Sequence, residues 1–386
     1  MKKILLLGGS HRDIPLIKAS QELGYFVITL GDRDYYLGHD YSDKSYKINF
    51  NDLEAVKKIV LDEQIDYLLP GCGEESYLNT VQLSHELNMG NFDTLETAKL
   101  IHNKWKFKDF CLKNGISTPK GVFLKHQNDL QNLHFPIVVK PTNLSGGRGV
   151  EIVYTQEELE LSLCNAKRLS DEIFLEEFIN GKLIAYSIFL KSQKIIYGFV
   201  GEDKTYLNPY LITSAYPFTI EDITLNKLKV DIEKLAELLH LVDGMFHLQV
   251  LIKDQHPFII DVTRRIPGDL YPYLIEYCDS VEYSKAVVNA YTTGIINNEF
   301  DRKSKKQSFV IRHCVMPSKN GIYNDIEIDE SLSDKILHTF DLIKKGSIIT
   351  DFLHTQLAII FIKLDYADST ILENINSLIR PLIDKS

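Results

Sequence analysis

Three stretches of this sequence combine residue types and spacings that can do chemistry. In PIVVKPTNLSGGRGV, residues 136–150, an apolar run ends in Lys140 and passes at once into a loop with three glycines and an arginine. A glycine cluster alone marks a turn. Glycines also let backbone N–H groups approach an anion closely and form concave nests for phosphate. Lys140 adds a point charge at the strand end and Arg148 a planar donor fork. The second stretch, IFLEEFINGK, is an apolar strand ending in Glu176 and Glu177, then Phe178 and Ile179. A strand leaving its sheet can hydrogen-bond the edge of a base with its own backbone, and the two apolar side chains can sandwich the ring.

The third stretch yields to geometry. HLQVLIK and PFIIDVTRR flank the polar segment Asp254–His256, so the simplest hairpin pairs Lys253 with Pro257. Continuing that register puts Gln249 opposite Asp261 and His247 opposite Thr263. Side chains alternate along a strand, so Asp261, Thr263 and Arg265 share a face. Directly opposed Cβ atoms lie about 4.5 to 5.5 Å apart. Oxygen donors from Asp261 and Gln249 suit Mg²⁺, which takes one or two carboxylates and completes its shell with phosphate and water. Arg265 beside such an ion supplies what a developing oxyanion needs.

Other motifs are incomplete. The P-loop pattern G-x-x-x-x-G-K-[ST] is absent, and Gly8 and Gly9, with Asp32 further on, match only half of a nicotinamide dinucleotide fingerprint. A tight strand-to-helix turn accounts for that glycine pair. Cys72 beside Glu74 has no identifiable base and reads as a structural thiol.

These residues need elements to hold them. KILLL, the turn GGSHRD, the helix IPLIKASQELG and the strand YFVITL form one unit, and VKKIVLDEQ and DYLLPGCGEES repeat the alternation. Residues 1–92 therefore read as an open parallel α/β domain. Its functional edge is the carboxyl end of the strands, where Gly8–Arg12, Gly31–Asp34 and Gly71–Ser76 fall. TLETAKLIHNKWKFKDFCLKNG predicts one long helical stretch within 93–115 that stops at Gly115. Residues 116–185 read as a lid unit of strands. Residues 186–300 carry further strands, a helix over 221–240 and two helical stretches within 268–294. After the charged DRKSKK, residues 301–386 return to strands and a final helix.

Bulk properties narrow the function classes. The 386 residues are 44% hydrophobic, enough for two or three packed units, and carry a net charge of −10. Without a long basic run, that balance argues against nucleic acid and anionic membranes and for a small-molecule partner. Five scattered cysteines with no C-x-x-C signal neither a disulfide framework nor a zinc site. No apolar stretch reaches the length of a membrane span, and a cytoplasmic protein is expected.

The order of motifs resembles the ATP-grasp superfamily: a lysine on a long helix, a lysine before a glycine-rich loop, EEF-I-x-G, then a hairpin ending D-x-T-R-R-x-P-G-D. The resemblance covers roughly residues 1–300. It implies an α/β architecture with an N-terminal open parallel α/β domain, a mobile α+β lid and a C-terminal α+β domain that hold ATP between two sheets. NKWKFKDF resembles the segment before the lid, which makes Lys104 the first phosphate lysine and Lys140 the second. Ser145, Gly146, Gly147, Arg148 and Gly149 would close over the phosphates, and Glu176, Glu177, Phe178 and Ile179 would meet adenine. Asp261, with Gln249 and Thr263, would hold Mg²⁺, and Arg265 would stabilise an acyl phosphate. The implied activity is ATP-dependent joining of a small-molecule carboxylate to an amine, with a homodimer compatible. Arg12 is the candidate carboxylate or phosphate fork and Glu74 the candidate amine partner. Three positions depart from the pattern: Leu183 stands where an acid at the ribose is expected, Gln249 where a metal carboxylate is usual, and Thr263 where an asparagine is usual. Glu202 and Asp203 read as part of a solvated loop. A nucleotide sensor without catalysis and a nicotinamide-dependent oxidoreductase remain the rival readings.

Overall fold

The computed structural model describes residues 1–33, 35–124, 133–141, 149–301 and 307–384. The chain opens with β1 (Lys3–Leu7), α1 (Ile14–Glu22), β2 (Phe26–Leu30), β3 (Lys44–Tyr46), α2 (Leu53–Glu63), β4 (Tyr67–Pro70) and α3 (Glu74–Leu87). The four strands form a parallel sheet in the order β3-β2-β1-β4. Ile4, Leu5, Leu6 and Leu7 are all fully buried, as a strand covered on both faces requires. Because β4 joins β1 on the side away from β2, the chain reverses there. This opens a crevice at the carboxyl ends, flanked by Gly8–Asp13 and Gly71–Gly73.

The single helix expected over 93–115 is two, α4 (Leu95–Ile101) and α5 (Lys104–Lys113). Asn103 breaks it: its backbone is extended and its side chain accepts from the Lys106 N–H at 3.1 Å, capping a new helix. Lys104 consequently sits at a helix start. The lid follows as β5 (Gly121–Phe123), β6 (Ile137–Pro141), β7 (Glu151–Val153), α6 (Gln156–Leu169) and β8 (Ile173–Glu177), an antiparallel sheet in the order β5-β8-β6-β7. Ile137, Val139 and Leu175 pack with Leu159 and Ala166 of α6. Alternation then sends Val138, Lys140, Phe174 and Glu176 to the other face.

The rest comprises β9 (Lys182–Lys191), β10 (Lys194–Thr205), β11 (Ile212–Pro217), α7 (Asp222–Leu238), β12 (Gly244–Lys253), β13 (His256–Thr263), α8 (Tyr271–Asp279), α9 (Tyr283–Thr292), β14 (Phe309–Val315), β15 (Gly321–Ile328), β16 (Ile336–Asp341), β17 (Ile348–Ile349), β18 (Ala358–Leu364), α10 (Ser369–Leu378) and β19 (Ile379–Asp384). Eight of these strands form one antiparallel sheet, β13-β12-β9-β10-β11-β14-β18-β16. The sheet runs on across residue 300. β17-β15-β19 form a small separate sheet, so the chain passes from its last helix into one more strand. Glu202 and Asp203 are not in a solvated loop. Both lie inside β10 and are buried, because the alternating run KIIYGFVGEDKT continues in extended form beyond its apolar part.

Candidate active site

Lys140 of β6 stands opposite Phe174 of β8, and Val138 opposite Glu176. Lys140 and Glu176 therefore project together from the lid face that looks away from α6. The Glu176 carboxylate is gripped at both oxygens, by Lys140 on one and by Lys108 of α5 on the other. Lys108 and Glu176 are almost wholly enclosed, their side chains 4% and 3% exposed, whereas Lys140 keeps 26%. Burial, then the charge of Lys104, pushes the Lys140 ammonium down to about 8, with Asp261 opposing. Burial and the charge of Lys140 push the Lys108 ammonium down as well.

The structure thus brings together Lys104, Lys140 and Asp261 from three separate elements, and adds Lys108, which sequence reasoning missed. The available signal was its spacing: Lys104 and Lys108 are four apart on one helix and share a face. Ser145, Gly146, Gly147 and Arg148 lie outside the described residues. Gly149 is described, with φ of +70°, a backbone state that suits glycine. The Glu176 side chain serves the lysines, so any part this residue takes at a base edge falls to its backbone. Beyond it the backbone is partly engaged: the Glu177 N–H donates to Lys120 and the Phe178 N–H to Pro136, both at 2.9 Å. The Ile179 N–H has no partner among the described residues.

The hairpin matches the expected register at the site and departs from it at the turn. Gln249 is opposite Asp261 and His247 opposite Thr263, but Lys253 pairs with His256, and Asp254 and Gln255 alone make the turn, both at positive φ. A bulge at Ile260 then absorbs one residue and restores the expected pairing. It also keeps both Ile259 and Val262 in the core, leaving Asp261 exposed on the other face. Asp261 is held by the Val262 N–H at 3.0 Å. Thr263 Oγ1 accepts the Arg265 N–H at 3.2 Å, so its hydroxyl serves the strand end. On the next strand, Ser187 meets His247 Nδ1 at 2.8 Å. Burial and Arg265 drop the His247 imidazolium to about 3, so His247 is a neutral partner at ordinary pH.

The two arginines of DVTRR have separate tasks. Arg264 is buried and reaches Asp93 through Nε at 2.7 Å and Nη2 at 3.4 Å, and the Val242 carbonyl through Nη2 at 2.8 Å. Arg265 points the other way, its Nη1 near Cys72 Sγ at 3.7 Å and donating to the Ile266 carbonyl at 3.2 Å. Its buried Nε has no partner among the described residues. Glu74, in the first turn of α3, feels Lys104 and Arg265, which oppose the upward push of desolvation on its carboxyl. Cys72 is buried and its thiol is pushed up, the behaviour of an inert structural thiol.

Arg12 is less free than a loop charge. Its Nε lies 3.2 Å from Asp269, which Gln356 also contacts at 3.1 Å. Arg12 lines a cleft of about 340 Å³ at the parallel-sheet edge, together with Gly9, Ser10, Tyr36, Phe50 and Cys72. Asp13 fills the anion-binding end of the glycine turn. One carboxylate oxygen accepts from Gly9 N, Ser10 N and Ser10 Oγ at 2.8–3.0 Å, and the other from Cys72 N at 2.7 Å. A dinucleotide pyrophosphate would need those same donors.

A family model described as the D-ala D-ala ligase C-terminus matches residues 105–240. The chain is 23% identical over 296 residues to the carbamoyl phosphate synthase large chain of Clostridium beijerinckii, covering 71% of this chain and 27% of that one. It is 29% identical over 189 residues to the formate-dependent phosphoribosylglycinamide formyltransferase of Methanocaldococcus jannaschii, covering 46% of this chain and 48% of that one. It therefore spans about a quarter to a half of the length of these curated relatives. Among solved structures, an L-amino acid ligase from Bacillus licheniformis superposes with a TM-score of 0.84 at 17% identity, covering 100% of this chain and 99% of that one. A phosphoribosylglycinamide synthetase from Anaerococcus prevotii superposes with 0.79 at 21% identity, covering 99% and 100%.

Proposed function

We infer that this chain, which has the ATP-grasp fold, is an ATP-dependent ligase that activates a small-molecule carboxylate as an acyl phosphate and joins it to an amine or similar nucleophile. The observation that carries the reading is the convergence of charges from a helix start, a lid strand and a hairpin: Lys140 feels Lys104 and Asp261, and Glu74 feels Lys104, Arg265 and Asp261. The lysines would hold the phosphates of ATP, and the free Ile179 N–H would meet the adenine edge. Among the described residues no cluster of three or more His, Cys, Asp or Glu could hold a metal. Asp261 with the Gln249 amide fits Mg²⁺, an ion content with one carboxylate when phosphate and water complete its shell. ATP supplies the phosphoryl group that makes the carboxylate reactive. Arg265 would stabilise the negative charge that builds on the acyl oxygen, and Glu74 would orient the amine. Leu183 leaves ribose recognition to other groups.

The sensor alternative would leave Arg265 without a task, and the nicotinamide alternative requires donors that Asp13 occupies. The reading includes the cytoplasm as the location and a homodimer as the assembly; among the described residues no helix is long and apolar enough to cross a membrane. The test exploits the electrophilicity of an acyl phosphate. A panel of amino acids, hydroxy acids and sugar acids is incubated with ATP, Mg²⁺ and hydroxylamine. At least one acid should yield hydroxamate and ADP in equal amounts, and the Lys140→Met variant should yield neither. ADP without hydroxamate would point to a hydroxyl acceptor, and tight ATP binding with neither product to a sensor.

A further inference from the structure

Lys108 is the buried charge that the proposed function leaves without a task. It rises from α5, outside the lid, and reaches across to Glu176 on the lid strand β8. Its ammonium also lies 5.6 Å from the ring centroid of Phe174, which stands opposite Lys140. Two lysines thus share one enclosed carboxylate, and only one of them has access to solvent. Resting on the ATP-binding reading above, we propose that Lys108 is a positioning residue: it holds Glu176 when Lys140 turns to the nucleotide phosphates, so that Lys140 can leave its partner without stranding a buried carboxylate.

The charge count favours this division. With both lysines on Glu176 the trio carries a surplus positive charge, which phosphate would draw toward itself through Lys140, the member with free surface. Lys108 and Glu176 then remain as a neutral, enclosed pair. Removing one partner of such a pair leaves an uncompensated charge and is strongly unfavourable. Without Lys108, Glu176 would therefore hold Lys140 back from the phosphates. Lys108 also ties the lid sheet to α5, so the same pair fixes where the lid strand stands when the nucleotide arrives.

The test uses calorimetric binding of the β,γ-imido analogue of ATP with Mg²⁺ to the full chain. Lys108→Met should weaken binding on the order of a hundredfold. Adding Glu176→Gln to that variant should return the affinity to within about tenfold of wild type, because a neutral amide neither pins Lys140 nor suffers when left alone. Lys108→Arg should bind like wild type and covers the case in which the methionine variant fails to fold. A purely structural role predicts no such rescue. Unchanged binding by Lys108→Met, absence of rescue in the double variant, or a large loss with Lys108→Arg would each overturn the proposal. Failure of the wild-type chain to bind the analogue at all would overturn the underlying nucleotide reading instead.

Discussion

Arg265 carries no ion-pair partner among the described residues, and its burdens are light: one carbonyl and one thiol. Its guanidinium is thus available to a charge that appears during reaction. Losing a preorganised donor of this kind costs about 10²- to 10³-fold in rate. Arg265→Lys should lower kcat by about a hundredfold, since a point charge cannot reproduce the fork, and should change nucleotide affinity little. Steady-state kinetics on the acid found by hydroxamate trapping separates the two quantities. Asp203 supplies a pH prediction. It is buried, its Oδ1 has no partner among the described residues, and burial, opposed by Arg312, lifts its carboxyl to about 7. The unfolded value is near 3.9. Between those limits the folded chain keeps a proton that the unfolded chain releases, so stability falls as pH rises through the window. Asp203→Asn has no such loss. It should match wild type near pH 4 and exceed it by roughly 2 kcal/mol above pH 7, as thermal denaturation at a series of pH values would register.

At the scale of elements, the β12–β13 hairpin shows how a strand tolerates an irregularity and still presents a carboxylate on its open face. Ile260 is the extra residue, and without it Ile259, Asp261 and Val262 would alternate regularly, with Asp261 still opposite Gln249. Deleting Ile260 should therefore preserve Mg²⁺-dependent turnover to within about tenfold, at a modest cost from lost local twist. A shift of Asp261 to the core face would abolish turnover and would mean that the bulge aims the carboxylate. The lid sheet follows the same logic in reverse. Its strands are short, β5 and β7 having three residues each. Alternation on only β6 and β8 sorts Val139 and Leu175 toward α6 and Lys140 and Glu176 away from it.

At the scale of the whole molecule, long-range ion pairs join the parallel-sheet unit to the large antiparallel sheet. Arg12 meets Asp269, and the buried Arg264 meets Asp93, which also accepts from Val242 N at 2.9 Å and Tyr77 at 3.2 Å. Asp93 lies just before α4, so this junction sets where α4 and α5, and with them Lys104 and Lys108, leave the parallel-sheet unit. Arg264→Met should destabilise the chain by about 3 to 5 kcal/mol, because it leaves Asp93 enclosed and only partly compensated. Chemical denaturation measures the loss directly. Added Asp93→Asn should recover part of it, since the stranded group is then neutral.

Which parts of this were legible without the fold follows from the range of the interactions involved. The parallel sheet, the hairpin face and the order of Lys104, Lys140, Glu176 and Asp261 were legible in the sequence, because apolar periodicity, strand alternation and turn residues act between near neighbours. The capping of α5 by Asn103 was local too, but a side chain that stops one helix and starts the next is masked by the apolar residues on either side of it. Only the tertiary structure decided that Glu176 faces two lysines, that Asp13 fills the glycine turn from within, and that Arg264 is enclosed on Asp93 while Arg265 turns the other way. Each of those depends on which charges are enclosed together. Lys108 and Glu176 are 68 residues apart in the sequence and Asp93 and Arg264 are 171 apart, and the desolvation that makes such pairs matter exists only once the chain has closed around them.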